Sequence, residues 1–156
     1  MKNRILSDYE INAGTLCLIK ESENITKIVE KDQEFYINQN IKKVVDNSCK
    51  NFGSSLEGRM AGTTKLTGIK YKTPIIISEY LSIILFPTAS PNNEECQWLS
   101  LHNIKNYDKN GTTTIVEFTT GKKVEIKESY FVMQNQITKA VRLDYFLRRS
   151  RSLEKE

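Results

Sequence analysis

The sequence has 156 residues, 38% hydrophobic and 27% charged, with a formal net charge of +4. That is enough apolar material for a buried core and too little charge imbalance for disorder. No apolar run approaches the about 18 residues of a membrane span, and Met1–Asn12 lacks the apolar stretch of a secretory leader. Residues 1–150 are expected to form one domain, with 151–156 as a frayed polar tail.

Thr15–Ile19 follows the turn Asn12-Ala13-Gly14 as a short apolar strand. Ile25–Glu30 and Glu34–Asn38 form a hairpin pair around Lys31-Asp32-Gln33. Ile41–Phe52 then changes to helical period. Val44, Val45, Ser48, Cys49 and Phe52 share one side of its wheel, while Lys43, Asp46, Asn47 and Lys50 share the other. Gly53 stands where a left-handed cap is wanted. Gly53–Gly62 reads as a glycine-punctuated loop. Four glycines, Gly53, Gly58, Gly62 and Gly68, fall within sixteen residues, and Arg59 lies among them.

Strands return at Thr63–Ile69, Pro74–Ile77 and Ile83–Phe86, the last ended by Pro87. Trp98–Leu101 is a further strand. Ile104–Tyr107 and Thr112–Thr119 flank Asp108-Lys109-Asn110-Gly111, whose Asn-Gly pair signals a tight turn. Lys122–Lys127 completes a meander. Tyr130–Arg149 is helical, with Met133, Ile137, Ala140, Val141 and Leu147 on one face and Asn135, Thr138, Lys139, Arg142 and Arg149 opposite. The fold class is therefore α+β: a largely antiparallel sheet or meander with one central amphipathic helix and one C-terminal helix. The two helices are far apart in sequence, so no helix-turn-helix is expected.

The chain offers little to catalysis. Cys17, Cys49 and Cys96 are odd in number and widely spaced, which suits reduced thiols in a cytoplasm. His102 is the single histidine, and with Cys96 six residues away it leaves a tetrahedral metal site half-built. A Cys–His enzyme is a remote alternative, because Cys49 falls on the apolar helix face, where a thiol is inert. No cofactor, metal or membrane partner is expected.

Charge is unevenly spread. Residues 41–72 carry seven Lys/Arg against two Asp/Glu, and residues 129–156 carry six against three, on a slightly acidic remainder. Such asymmetry is how a nucleic-acid footprint looks in sequence. A solvated pair of helix faces, or a module docking an acidic protein, would look similar. Tyr71, between Lys70 and Lys72, could stack on a base or lie solvated on a strand.

Asp46–Gly62, Leu85–Thr88 (L-F-P-T), Cys96–Ser100 (C-Q-W-L-S), Ser129–Tyr130 and Asn135–Gln136 occur in the same order as in the competence transcription factor (ComK) family of Gram-positive bacteria, which the chain resembles from about Tyr9 to about Arg148. The resemblance implies an activator of DNA-uptake genes that binds A/T-rich boxes through the minor groove, as a dimer or dimer of dimers. It also implies RNA polymerase and a proteolytic adaptor as partners, and a cytoplasmic, nucleoid-associated location. Family members continue some tens of residues past Glu156. That tail is associated with activation and adaptor-directed degradation, so the expectation of DNA binding reaches further than either. A-tract grooves are narrow and strongly negative, and Asn can read their acceptors. Arg59, with Asn47 and Asn51 nearby, is therefore the expected groove reader. Lys43, Lys50, Lys65, Lys70 and Lys72 are expected on phosphates, and Lys139 and Arg142 are expected to add to the DNA or subunit surface.

Overall fold

The computed structural model describes residues 5–154, with side chains through residue 150. Ten strands and three helices follow in the order β1 (Ile5–Leu6), β2 (Thr15–Ser22), β3 (Ile25–Glu30), β4 (Glu34–Ile37), α1 (Ile41–Asn51), α2 (Leu56–Thr67), β5 (Ile75–Ser78), β6 (Ile83–Pro87), β7 (Trp98–Ser100), β8 (Ile104–Asn110), β9 (Thr113–Phe118), β10 (Lys123–Ile126) and α3 (Tyr130–Glu154). A seven-stranded sheet runs β1-β4-β3-β2-β7-β6-β5, and a three-stranded sheet runs β10-β9-β8. Every pairing is antiparallel except β1 with β4. The expected α+β class and meander are present.

The apolar strands alternate between two cores. Ile75, Ile77, Ile83, Leu85 and Trp98 join Ile41, Val44, Val45, Cys49 and Leu56 of α1 and α2 on one side. Ile76, Ile84, Phe86 and Leu99 join Val116, Phe118 and Ile126 of the small sheet and Met133, Ala140, Leu143 and Leu147 of α3 on the other. A sheet covered on both faces needs runs without polar alternation, which is why Ile75–Ile77 and Ile83–Phe86 are uniformly apolar. A register shift between Thr15 and Cys17 lets Leu16 and Cys17 enter the same core, as a bulge does. The expected turn falls one residue beyond the Asn-Gly pair: β8 runs on through Asn110, which pairs with Thr113, and Gly111 and Thr112 make the two-residue loop, with Gly111 at a φ of 62°.

The largest departure from expectation is α2. The sequence predicts a loop followed by a strand at Thr63–Ile69 over its span. The Ser55 side chain instead accepts from the Gly58 N–H (2.9 Å), and the Asp46 carboxylate accepts from the Leu56 N–H (2.9 Å). Two of the open donors of the helix start are thereby satisfied. A Cβ at Gly58 would stand 2.9 Å from the Ser54 hydroxyl, which would have to turn aside. At the far end Gly68 is left-handed, with φ 80°, and its N–H donates to the Thr64 carbonyl. The threonines anchor the helix through hydroxyls: Thr63 donates to the Pro74 carbonyl (2.7 Å) and Thr64 to the Ile69 carbonyl (2.6 Å). Hence α1 and α2 form a helical pair across the short connection 52–55, contrary to the expectation that neither helix meets a second across a short turn.

Three smaller corrections follow. Phe52 caps α1 and is 37% exposed rather than buried with Val44 and Cys49. Val141 is 53% exposed, and its place on the buried face belongs to Gln136 and Leu143. Helix α3 continues to Glu154, into the stretch expected to be a tail; residues 155–156 lie outside the described residues.

Candidate nucleic-acid interface

An open cleft of about 930 Å³ lies where the helical pair meets the segment 70–73 and the loop 90–92. Lys42, Lys43 and Asp46 come from α1, Leu56, Glu57 and Met60 from α2, and Lys70, Tyr71 and Lys72 from the link into β5. Asn40 closes one end; its side chain caps α1 by accepting from the Lys43 N–H (2.9 Å). The Lys42 ammonium donates to Asn92 Oδ1 (2.6 Å) across the cleft.

Four lysines thus face two acids, one of which is already engaged. Asp46 accepts from the Leu56 N–H and pairs with Lys50 at 3.2 Å, and these contacts hold its carboxyl below the usual carboxylate range. The first turn of α1 contains no acid but two lysines, where the helix dipole disfavours cations by about 0.3–1 kcal/mol each. A local rule broken in this way is tolerable where an anion arrives. Lys139 of α3 donates to the carbonyl of Tyr71, one of the cleft-lining residues (2.8 Å). Burial, with the charge of Lys72 adding, holds its ammonium below the usual lysine pKa. Cations crowded this closely are relieved by an anion between them.

Of the residues expected to contact DNA, Lys43, Lys70 and Lys72 come together here, and Lys139 joins them through the Tyr71 backbone. Asn47 is half-buried on α1, Lys50 is tied to Asp46, and Asn51 ends the helix. Lys65 is exposed in the last turn of α2, and Arg142 is exposed on α3. None of these five lines the cleft. Arg59 is not on a mobile loop. It is half-buried on α2, its Nη2 donates to the Phe52 carbonyl at 3.4 Å, and its Nε is buried without a hydrogen-bond partner. Its guanidinium therefore closes over the C-terminal end of α1, where a cation is favoured. Sequence reasoning missed Lys42, although the Lys42-Lys43 pair in an acid-free first turn was a usable signal. It also missed the facing loop Ser90–Asn92.

The Cys–His alternative finds no geometry. His102 Nε2 is 3.0 Å from Asp144 Oδ1, and Asp144 also accepts from Arg148 Nε at 2.9 Å. All three cysteines are buried, and burial pushes the Cys17 thiol up to about 12 and those of Cys49 and Cys96 up to about 11. Among the described residues no three His, Cys, Asp or Glu cluster as metal ligands, and no helix is long and apolar enough to cross a membrane. A disulfide thiol reagent at neutral pH should therefore titrate no cysteine of the native protein within minutes and three after denaturation. A fast native thiol would reopen the enzyme reading. Because the folded thiols have raised pKa values, their protonated form is the native one. Stability is then complete below the free-thiol pKa of about 8.5 and is lost as pH rises through the folded values.

No solved structure matches the chain. The competence transcription factor of Bacillus subtilis (strain 168) is 38% identical over 136 residues, covering 85% of this chain and 71% of its own. The family described as ComK protein matches residues 6–152, and the chain belongs to that family.

Proposed function

We propose that the protein activates transcription of competence genes by binding A/T-rich duplex DNA, with the lysine-lined cleft between the helical pair and residues 70–73 as its phosphate-binding surface. The observation that carries this reading is the convergence of Lys42, Lys43, Lys70 and Lys72 from separate elements on one cleft. The transcription-factor relative supports it. Lysines on phosphates set affinity and register. The A/T preference would come from a cation or amide entering the narrow minor groove. Arg59, Asn47 and Asn51 at the α1–α2 junction are the groups offered for that role, and Arg59 must then leave the Phe52 carbonyl on binding. Lys50, Lys65 and Arg142 extend the basic surface. Assembly as a dimer or dimer of dimers would let two cleft surfaces read paired boxes, in contact with RNA polymerase and under control of a proteolytic adaptor in the cytoplasmic nucleoid.

Fluorescence anisotropy with A/T-rich and G/C-rich duplexes across a salt series tests this. The protein should prefer the A/T duplex, with a log–log salt slope of about −0.9 per phosphate engaged. Arg59→Ala should weaken A/T binding by roughly 1–3 kcal/mol and narrow the gap between probes. Equal affinity for both duplexes would remove the A/T reading. A loss of melting temperature with unchanged A/T preference would leave Arg59 as the α1 cap alone. Tighter binding to an acidic polypeptide than to either duplex would favour a protein-docking surface.

A further inference from the structure

Tyr71 is 80% exposed, yet its backbone and that of the next residue are held by side chains of α3. Its carbonyl accepts from the Lys139 ammonium (2.8 Å), and the next carbonyl, that of Lys72, accepts from the Gln136 amide (2.8 Å). Gln136 is 1% exposed and spends its other amide hydrogen on the Pro87 carbonyl (2.8 Å). Lys72 itself takes a φ of 46°, a left-handed conformation unusual for a residue with a side chain. Strain of this kind persists only where the surroundings enforce it. Here α3 enforces it through two side chains, and the result is an aromatic ring held out into a cleft beside four lysines.

We propose that Tyr71 touches a base of the bound duplex, and that Gln136 and Lys139 are positioning residues that hold it there. This rests on the DNA-binding reading of the cleft. A polymer whose phosphates engage Lys42, Lys43, Lys70 and Lys72 brings its bases within reach of the segment that carries two of those lysines. A ring inserted as a wedge at a partly unstacked base step gains a base face to stack on, and a rigid mount lowers the ordering entropy of such a contact. Anchoring from α3 also means that the C-terminal helix sets the shape of the DNA surface without touching DNA at these positions.

The test uses the full chain and an A/T-rich duplex with 2-aminopurine replacing each adenine in turn. With wild-type protein, fluorescence at one position should change several-fold on binding, as that base leaves its normal stack. Tyr71→Phe should keep the signal. Tyr71→Ala should remove it and weaken binding roughly 5- to 150-fold, the range for losing one stacked base. Gln136→Met keeps Tyr71 and every lysine, so it should reduce the signal several-fold with the salt slope unchanged. If that variant does not fold, Lys139→Met serves, its salt slope falling by at most about 0.9. Tight wild-type binding with no responsive position, or an unchanged signal in Tyr71→Ala, overturns the base contact and leaves DNA binding standing. A signal lost in Tyr71→Ala but retained in Gln136→Met and Lys139→Met overturns the positioning role. Failure of the wild type to bind the duplex at all removes the DNA-binding reading, and this proposal with it.

Discussion

Replacing Lys42, Lys43, Lys70 and Lys72 together by glutamine should cost on the order of 10²–10³ in affinity for an A/T-rich duplex at about 50 mM salt. Each neutralised phosphate contributes about −0.9 to the log–log slope, so removing four contacts should flatten it by roughly 3.6. The wild type should therefore lose about 10² more affinity than the variant between about 50 and 200 mM salt. Stability should hold or rise. Lys42, Lys43 and Lys70 are exposed, two of the four lie at the unfavourable end of the α1 dipole, and Lys72 lowers the pKa of Lys139. Lys65→Gln, outside the cleft, is the control and should shift the slope by at most about 0.9. A quadruple variant that binds as tightly as wild type with an unaltered slope would show that the cleft is not the phosphate surface. Equal losses in the Lys65 control would mean that diffuse charge, not the cleft, attracts the DNA.

Apart from the two-residue β1, which was not expected, the strands were legible in the sequence because each apolar run is bounded by turn residues and contains no helical period. The two-sided burial of Ile75–Ile77 and Ile83–Phe86 is the physical counterpart of their unbroken apolarity. Helix α1 was legible for the opposite reason: its lysines and valines separate by a period of 3.6. Helix α2 was not, because it lacks a continuous apolar face. Gly58 and Gly62 lower its intrinsic propensity by about 1 kcal/mol each, and its three described buried residues are Leu56, Thr63 and Thr67. What holds it is a carboxylate from α1 and a threonine hydroxyl reaching the Pro74 carbonyl, both tertiary facts, besides its local serine cap. Ser55 and Gly68 bracket the helix as cap residues should, and that was the available sign. The same miss placed Arg59 on a loop instead of a helix and hid the cleft, since the cleft exists only because α2 turns back beside α1. Gln136 shows the limit at single residues. Its spacing between Met133 and Ala140 put it on the buried face, but nothing in the sequence told that its amide would meet two carbonyls.

The second large effect concerns the blocks that carry the family resemblance. Leu85–Thr88 and Cys96–Ser100 are adjacent strand segments: Leu85 pairs with Ser100, Phe86 with Leu99 and Pro87 with Trp98. The Thr88 hydroxyl accepts from the Gln97 N–H (3.0 Å), and the Cys96 thiol donates to the Ala89 carbonyl (3.4 Å). Phe86 is fully buried on the sheet face toward α3, opposite the helical pair. Phe86→Ala should then destabilise the fold by about 3–5 kcal/mol, the cost of truncating a buried aromatic and leaving a cavity. Against a total stability of about 5–15 kcal/mol, that lowers the melting temperature by roughly 6–20 °C for a chain of this size. DNA affinity, measured well below the new melting temperature and corrected for the folded fraction from a denaturant titration, should stay within a few-fold of wild type. The cleft lysines lie on other elements and the opposite face. A variant that melts like wild type but no longer binds would place these strands in the interface. A variant that melts early and, once corrected, binds normally would show that the motif recognised in sequence builds the scaffold, while the less distinctive lysines around residues 42–72 carry the contact with DNA.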